Sequence, residues 1–84
     1  MSENKVTFGI PGNVVFDMDM QGGPLPRGVR PPNGRLDATT VVIICTEQEA
    51  SAMAAWLSQR SKESAEYGAV VKLIELTLRQ AERR

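Results

Sequence analysis

Apolar and polar positions alternate with period two near the start of this chain. They lose all regularity between Gln21 and Thr40, then resume as an unbroken apolar run followed by a helical repeat. In "KVTFGI", Val6, Phe8 and Ile10 fall on one face of an extended segment, with Lys5, Thr7 and Gly9 on the other. "VVFDMDM" continues the alternation, setting Val14, Phe16, Met18 and Met20 against Val15, Asp17 and Asp19. Pro11 and Gly12 lie between the two runs. Proline presets its own φ and glycine admits positive φ, a pair suited to the centre of a turn. The pattern predicts a β-hairpin over residues 5–20 with one dry and one wet face.

"TTVVIICT" reads differently. From Val41 to Cys45 no polar face remains, as in a strand covered on both sides, so residues 39–46 are expected to form the central strand. Thr46 closes the run and opens a helix, because "TEQE" has the form of a capping box between Thr46 and Glu49. Glu47 and Glu49 also suit the positive end of the helix dipole. Ala50, Met53, Ala54 and Leu57 then recur at helical spacing, as do Tyr67, Val70, Val71, Ile74, Leu78 and Ala81. The polar stretch between these stripes predicts two helices, near 47–61 and 65–82, joined by a turn at Ser61–Ser64. One bent helix over 47–83 is the alternative, since the heptad phase is unbroken. The expected fold is a single α+β domain spanning residues 1–84. In it a small antiparallel three-stranded sheet, the hairpin plus a third strand after a long loop, is covered on one face by two C-terminal helices.

That arrangement leaves apolar side chains over. Helices on one side satisfy only half of the third strand. Either Val41, Ile43 and Cys45 or Val42 and Ile44 must emerge on the far side, and Leu73 and Leu76 lie beside the main stripe of the last helix. A domain of this size buries only ~60–65% of the surface its unfolded chain exposes. Each large apolar side chain left in water forgoes roughly 1.5–3 kcal/mol. An association surface is therefore expected, with Val42, Ile44, Leu73 and Leu76 at the contact and a two-fold homodimer as its commonest form. Trp56, one residue off the first helix's stripe, is a candidate partner anchor, although a packed boundary position explains it equally well.

The segment over residues 21–38, rich in proline and glycine, supports neither helix nor central strand. Arg27, Arg30 and Arg35 offer planar forks for phosphate or carboxylate, so a small anionic ligand such as a nucleotide, held at a subunit interface, is the alternative reading. Neither a "GxxxxGK" nor a "GxGxxG" spacing occurs. A mobile surface loop, with Leu25 and Val29 as its apolar contacts and its order dependent on a partner, is the plainer account.

Composition narrows the chemistry. The 84 residues contain no histidine and one cysteine, Cys45, and ten basic residues balance ten acidic ones. The usual neutral-pH base, Ser-His and Cys-His nucleophiles and most zinc sites are thereby excluded, and no intrachain disulfide can form. Cys45 is read as a small buried hydrophobe and Tyr67 as core. Asp17 and Asp19 supply too few oxygens for a metal and read as a solvated face; an enzyme using Asp17 with Lys5 is the weakest hypothesis. Zero net charge and few free aromatics argue against nucleic acid. The opening "MSENKVTFGI" lacks the pattern of a signal peptide, and no run is long enough to span a bilayer, so a cytoplasmic protein is expected. No cofactor, metal or catalytic residue is implied. The expected function is that of a small non-enzymatic interaction protein which binds and modulates a larger protein.

Overall fold

The first strand, β1 (Lys5–Pro11), buries Val6, Phe8 and Ile10 and turns Lys5 and Thr7 outward, as its alternation requires. The structure is a computed structural model and describes residues 5–30 and 40–82. The chain continues as helix α1 (Gly12–Met20), strand β2 (Thr40–Thr46), helix α2 (Glu47–Gln59) and helix α3 (Ala65–Glu82). β1 and β2 pair antiparallel in continuous register from Lys5 opposite Thr46 to Pro11 opposite Thr40. Among the described residues the architecture is α+β, with a two-stranded sheet and three helices.

The expected hairpin does not form, and with it goes the third strand. Residues Val14 to Met20 are helical, and β1 pairs directly with the strand that comes after the long connection. The reason lies in which residues can share a face. Val14, Val15 and Met18, spaced i, i+1 and i+4, are all fully buried in α1. A strand would have sent Val15 to the side opposite Val14 and Met18, whereas a helix puts all three toward the core. The expected inward row breaks up: Phe16 is exposed and Met20 is 70% exposed. Pro11 and Gly12 do not make the expected turn either. Pro11 is extended, at φ −60° and ψ 142°, and precedes Gly12 as the first helical residue.

Local chemistry does little for α1. Its N-terminus has no side-chain cap and no acid in the first turn, and Asp17 and Asp19 lie near its negative end. A nine-residue helix with glycine at its start and paired β-branched valines is marginal on propensity alone. Tertiary contacts hold it. Asn13 donates to Glu66 Oε1 at 2.6 Å, and the Tyr67 hydroxyl donates to Asp17 Oδ2 at 3.0 Å, so α1 is tied twice to the start of α3.

β2 also departs from expectation. It is an edge strand rather than the central one, and it is covered on one face only: Ile43 and Cys45 are buried, but Val42 and Ile44 are 65% and 62% exposed. The helical half agrees closely with the sequence pattern. Thr46 caps α2 with its hydroxyl accepting from the Glu49 amide at 3.1 Å, while the Glu49 side chain accepts from the Thr46 amide at 2.9 Å. α2 and α3 are separate helices, divided by a turn over residues 60–64, in place of one bent helix. Ala50, Met53, Ala54 and Leu57 from α2 meet Tyr67, Val70 and Ile74 from α3 above the sheet's buried face.

The first part of the long connection is packed. Gly22 takes φ +72° to leave α1, and Gly23 donates to the Met18 carbonyl at 2.7 Å. A Cβ at Gly23 would lie 3.1 Å from Trp56 Cε2 and 3.3 Å from Met18 Cβ, so a side chain there would press on both and force one of them to shift. Leu25 and Val29 pack against the core, and Pro26 is buried. Order over residues 21–30 is thus supplied within the chain. The rest of the expected loop, residues 31–38, lies outside the described residues.

Candidate docking surface

Period-two geometry sorts the sheet into two faces. Val6, Phe8, Ile10, Ile43 and Cys45 point to the helices. The opposite face consists of Lys5, Thr7 and Gly9 from β1 with Thr40, Val42, Ile44 and Thr46 from β2, and no described helix belongs to it. Thr7 is paired with Ile44 and Gly9 with Val42. Gly9 offers no side chain beside Val42, and the space over it is taken by Thr40, whose Cγ2 would lie 2.8 Å from a Cβ placed there. The result is a low, nearly uncharged surface, with Lys5 its single charge at one end and Val42 and Ile44 as its prominences.

α3 extends this surface sideways. Leu73 and Leu76 are exposed, off the Tyr67–Val70–Ile74 stripe that faces the core. Thr77, one turn beyond Leu73 and bonded through its hydroxyl to the Leu73 carbonyl at 2.9 Å, lines a shallow cleft of ≈ 230 Å³ with Gln80, Ala81, Lys5, Val6 and Thr7. Thr7 belongs to the same face as Ile44, so the cleft lies where the open side of the sheet meets α3. The sequence expectation named Val42, Ile44, Leu73 and Leu76, and all four are exposed, the first two on the open side of the sheet and the last two on α3.

The other candidates fall elsewhere. Trp56 lies on the helical side of the sheet, half-buried against the core. Its ring is tilted 50° to Tyr67 at a centroid separation of 6.4 Å, and the Arg60 guanidinium stacks over it at 4.0 Å while donating to the Trp56 carbonyl at 3.3 Å. Gly23 and Arg60 both lie close against the indole. Arg27 and Arg30 are exposed on a turn closed by the Val29 amide and the Pro26 carbonyl at 3.1 Å, with Gly28 at φ +87°. Neither lines the cleft beside β1 or the groove between α2 and α3. Arg35 lies outside the described residues.

Asp17 and Asp19 do not share a strand face. Asp17 accepts from Tyr67, and Asp19 is exposed. Lys5 stands at the far end of β1 from α1, about 20 Å along a seven-residue strand, so the Asp17–Lys5 pairing has no geometric basis. Burial pushes the Cys45 thiol up, reinforced by the Glu49 carboxylate, which holds it in the unreactive protonated form. Burial likewise raises Tyr67, with the hydrogen bond to Asp17 adding to it. Among the described residues no cluster of three metal-binding side chains occurs, and no helix is long and apolar enough to cross a membrane.

Two features escaped the sequence reading. Phe16 and Met20, at i and i+4, form an exposed apolar pair on α1, visible only once that segment is read as a helix. The cleft beside β1 depends on where α3 lies, for which the sequence carries no local signal. Comparison with family models, curated proteins and solved structures finds nothing that matches this chain.

Proposed function

We propose that this chain is a non-enzymatic interaction protein, acting as a homodimer, which binds a larger protein through the open face of its sheet and the adjoining flank of α3 and so modulates that protein's activity. One observation carries the reading: Val42 and Ile44, 65% and 62% exposed, stand on one sheet face, opposite the face that packs on the helices, and Leu73 and Leu76 are exposed on α3. Val42 and Ile44, two residues apart on one strand face, form an exposed apolar group, and such groups are typical of surfaces that bind protein. The near absence of charge suits the centre of a protein–protein contact, which is depleted in charged residues, and suits phosphate poorly. The side chains that general acid–base chemistry would use are dispersed: Cys45 is buried and protonated, Tyr67 is engaged with Asp17, and Lys5 is remote from both acids of α1.

A photo-crosslinking residue at position 42 or 76 tests the proposal. It should trap one protein partner that position 62, on the turn between α2 and α3, does not trap. Val42→Asp and Leu76→Asp should then each weaken binding of that purified partner at least about tenfold, while Arg27→Ala leaves it unchanged. Equal trapping at all three positions, or binding lost with Arg27→Ala and kept in the other two variants, would discard this surface as the site.

A further inference from the structure

We propose that β2 pairs with its own copy across a two-fold axis, so that two chains share one four-stranded antiparallel sheet ordered β1–β2–β2–β1. This deepens the reading above by giving the dimer its seam, and it rests on that reading only for the existence of a dimer.

The two edges of the sheet differ in how they are guarded. Sheet edges normally carry a charge, a proline, a bulge or a covering element, because an unguarded strand accepts any other strand. β1 has Lys5 at one end and Pro11 at the other, and Thr77, Gln80 and Ala81 of α3 stand alongside it in the cleft. β2 has none of these devices. From Thr40 to Thr46 it contains no charge, no proline and no glycine, its register against β1 shows no bulge, and among the described residues it pairs on one side only. Its composition, Thr-Val-Val-Ile-Ile-Cys-Thr, is also the most β-favouring of any segment described.

A second copy fits this edge by symmetry and by charge. A two-fold axis normal to the sheet makes the two β2 strands antiparallel and keeps the same face inward in both chains. Even-numbered residues therefore meet even-numbered ones, and Ile43 and Cys45 stay on the helical side. Full overlap of the seven residues sets Ile43 against the partner's Ile43, and Val42 against the partner's Ile44. Every cross-strand pair then joins threonine, valine, isoleucine or cysteine. No like charges oppose each other anywhere along the seam.

Sedimentation of the intact chain and of two double variants tests the seam. In this register Val42→Lys with Ile44→Lys brings like charges together at two sites, whereas Val42→Lys with Ile44→Glu pairs lysine with glutamate at both. The wild type should be dimeric at about 100 µM. The lysine–lysine variant should dissociate at least about 100-fold more readily, and the lysine–glutamate variant should stay within about tenfold of wild type. A monomeric wild type overturns the proposal. So does loss of the dimer in both variants, which marks a dry face-to-face stack, and so does its retention in both, which places the seam elsewhere. Should either variant lose its helical circular dichroism, isotope-filtered NOEs in mixed labelled and unlabelled wild type decide instead: contacts between Val42 and the partner's Ile44 support the seam, and their absence refutes it. Docking of a larger protein on the open face would suffer in both variants, so failure of that reading is separable from failure of this one.

Discussion

Replacing Tyr67 by Phe isolates the tie that holds α1 in place. The ring is buried and keeps its contact with Trp56, so the change removes one hydroxyl and little packing. That hydroxyl donates to Asp17 Oδ2 at 3.0 Å in a part-buried setting. Hydrogen bonds to charged acceptors contribute roughly 1.5–3 kcal/mol, but Asp17 is half-exposed and water can replace the lost donor, which brings the expected loss at neutral pH to about 1 kcal/mol. The pH dependence makes the test specific. Burial and then the bond to Asp17 raise the Tyr67 phenol above its ordinary value of 10.0. Below that value the folded and unfolded chains are both protonated, and the stabilisation is fully present. Above it the unfolded chain releases its proton first, so stability falls, by no more than about 1.4 kcal/mol per pH unit, until the folded group also ionises. Urea unfolding monitored by the fluorescence of the single tryptophan should therefore show Tyr67→Phe less stable than wild type at pH 7, with the gap closing above pH 10. An alkaline decline of the same steepness in both proteins would show that Tyr67 ionisation does not couple to folding, and the account of the α1 tie would fail.

Three further outcomes are expected. Thr46→Ala removes the capping box at the start of α2 and should lower stability by about 1 kcal/mol, read by thermal unfolding, with Thr46→Asp recovering most of it. Gly68→Ala lies inside α3, where an added Cβ meets nothing within 4 Å, and should stabilise by roughly 0.5–1 kcal/mol; Gly23→Ala, pressed between Trp56 and Met18, should destabilise by about 1–3 kcal/mol in the same assay. The Cys45 thiol, buried and pushed toward the protonated form, should react with a maleimide at pH 7 only as fast as the chain opens, so that its rate rises with urea; rapid labelling of the native protein would contradict its burial.

The helical half was legible because its signals are local. The capping box at Thr46 needs four consecutive residues, and the stripe from Ala50 to Leu57 needs two turns; neither depends on what the rest of the chain does. The misreading of α1 has the opposite cause. "VVFDMDM" satisfies period two through Val14, Phe16, Met18 and Met20, and a helical face through Val14, Val15 and Met18. Its caps, charges and propensities favour neither. The choice was made elsewhere: β2, richer in β-branched residues, took the place beside β1, and α1 was left to fill the core beneath it. One alternating set of β2 still had to face outward, and Val42 and Ile44 do, because that surplus comes from the composition of the strand and not from the number of its neighbours. Nothing local marked Gly23 as a contact of Trp56, since the two lie far apart in sequence.

Losing the third strand sharpens the case for association. A two-stranded sheet is marginal by itself and gains stability from further strands or from helices against its faces. Here the helices cover one face, and α1 packs under that face instead of lengthening the sheet. The uncharged edge and the apolar open face are thus two separate deficits, and they call for different remedies. Pairing of β2 with its copy meets the first by occupying backbone groups along the seam. It does nothing for the second, because Val42 and Ile44 remain on the outer side of the joined sheet, now beside the partner's Ile44 and the partner's Val42. The assembly would present twice the apolar relief of one chain on a single face centred on the symmetry axis. A surface enlarged in this way by dimerisation is better suited to gripping another protein than either chain alone, which makes self-association a condition of the proposed binding and not a competitor with it.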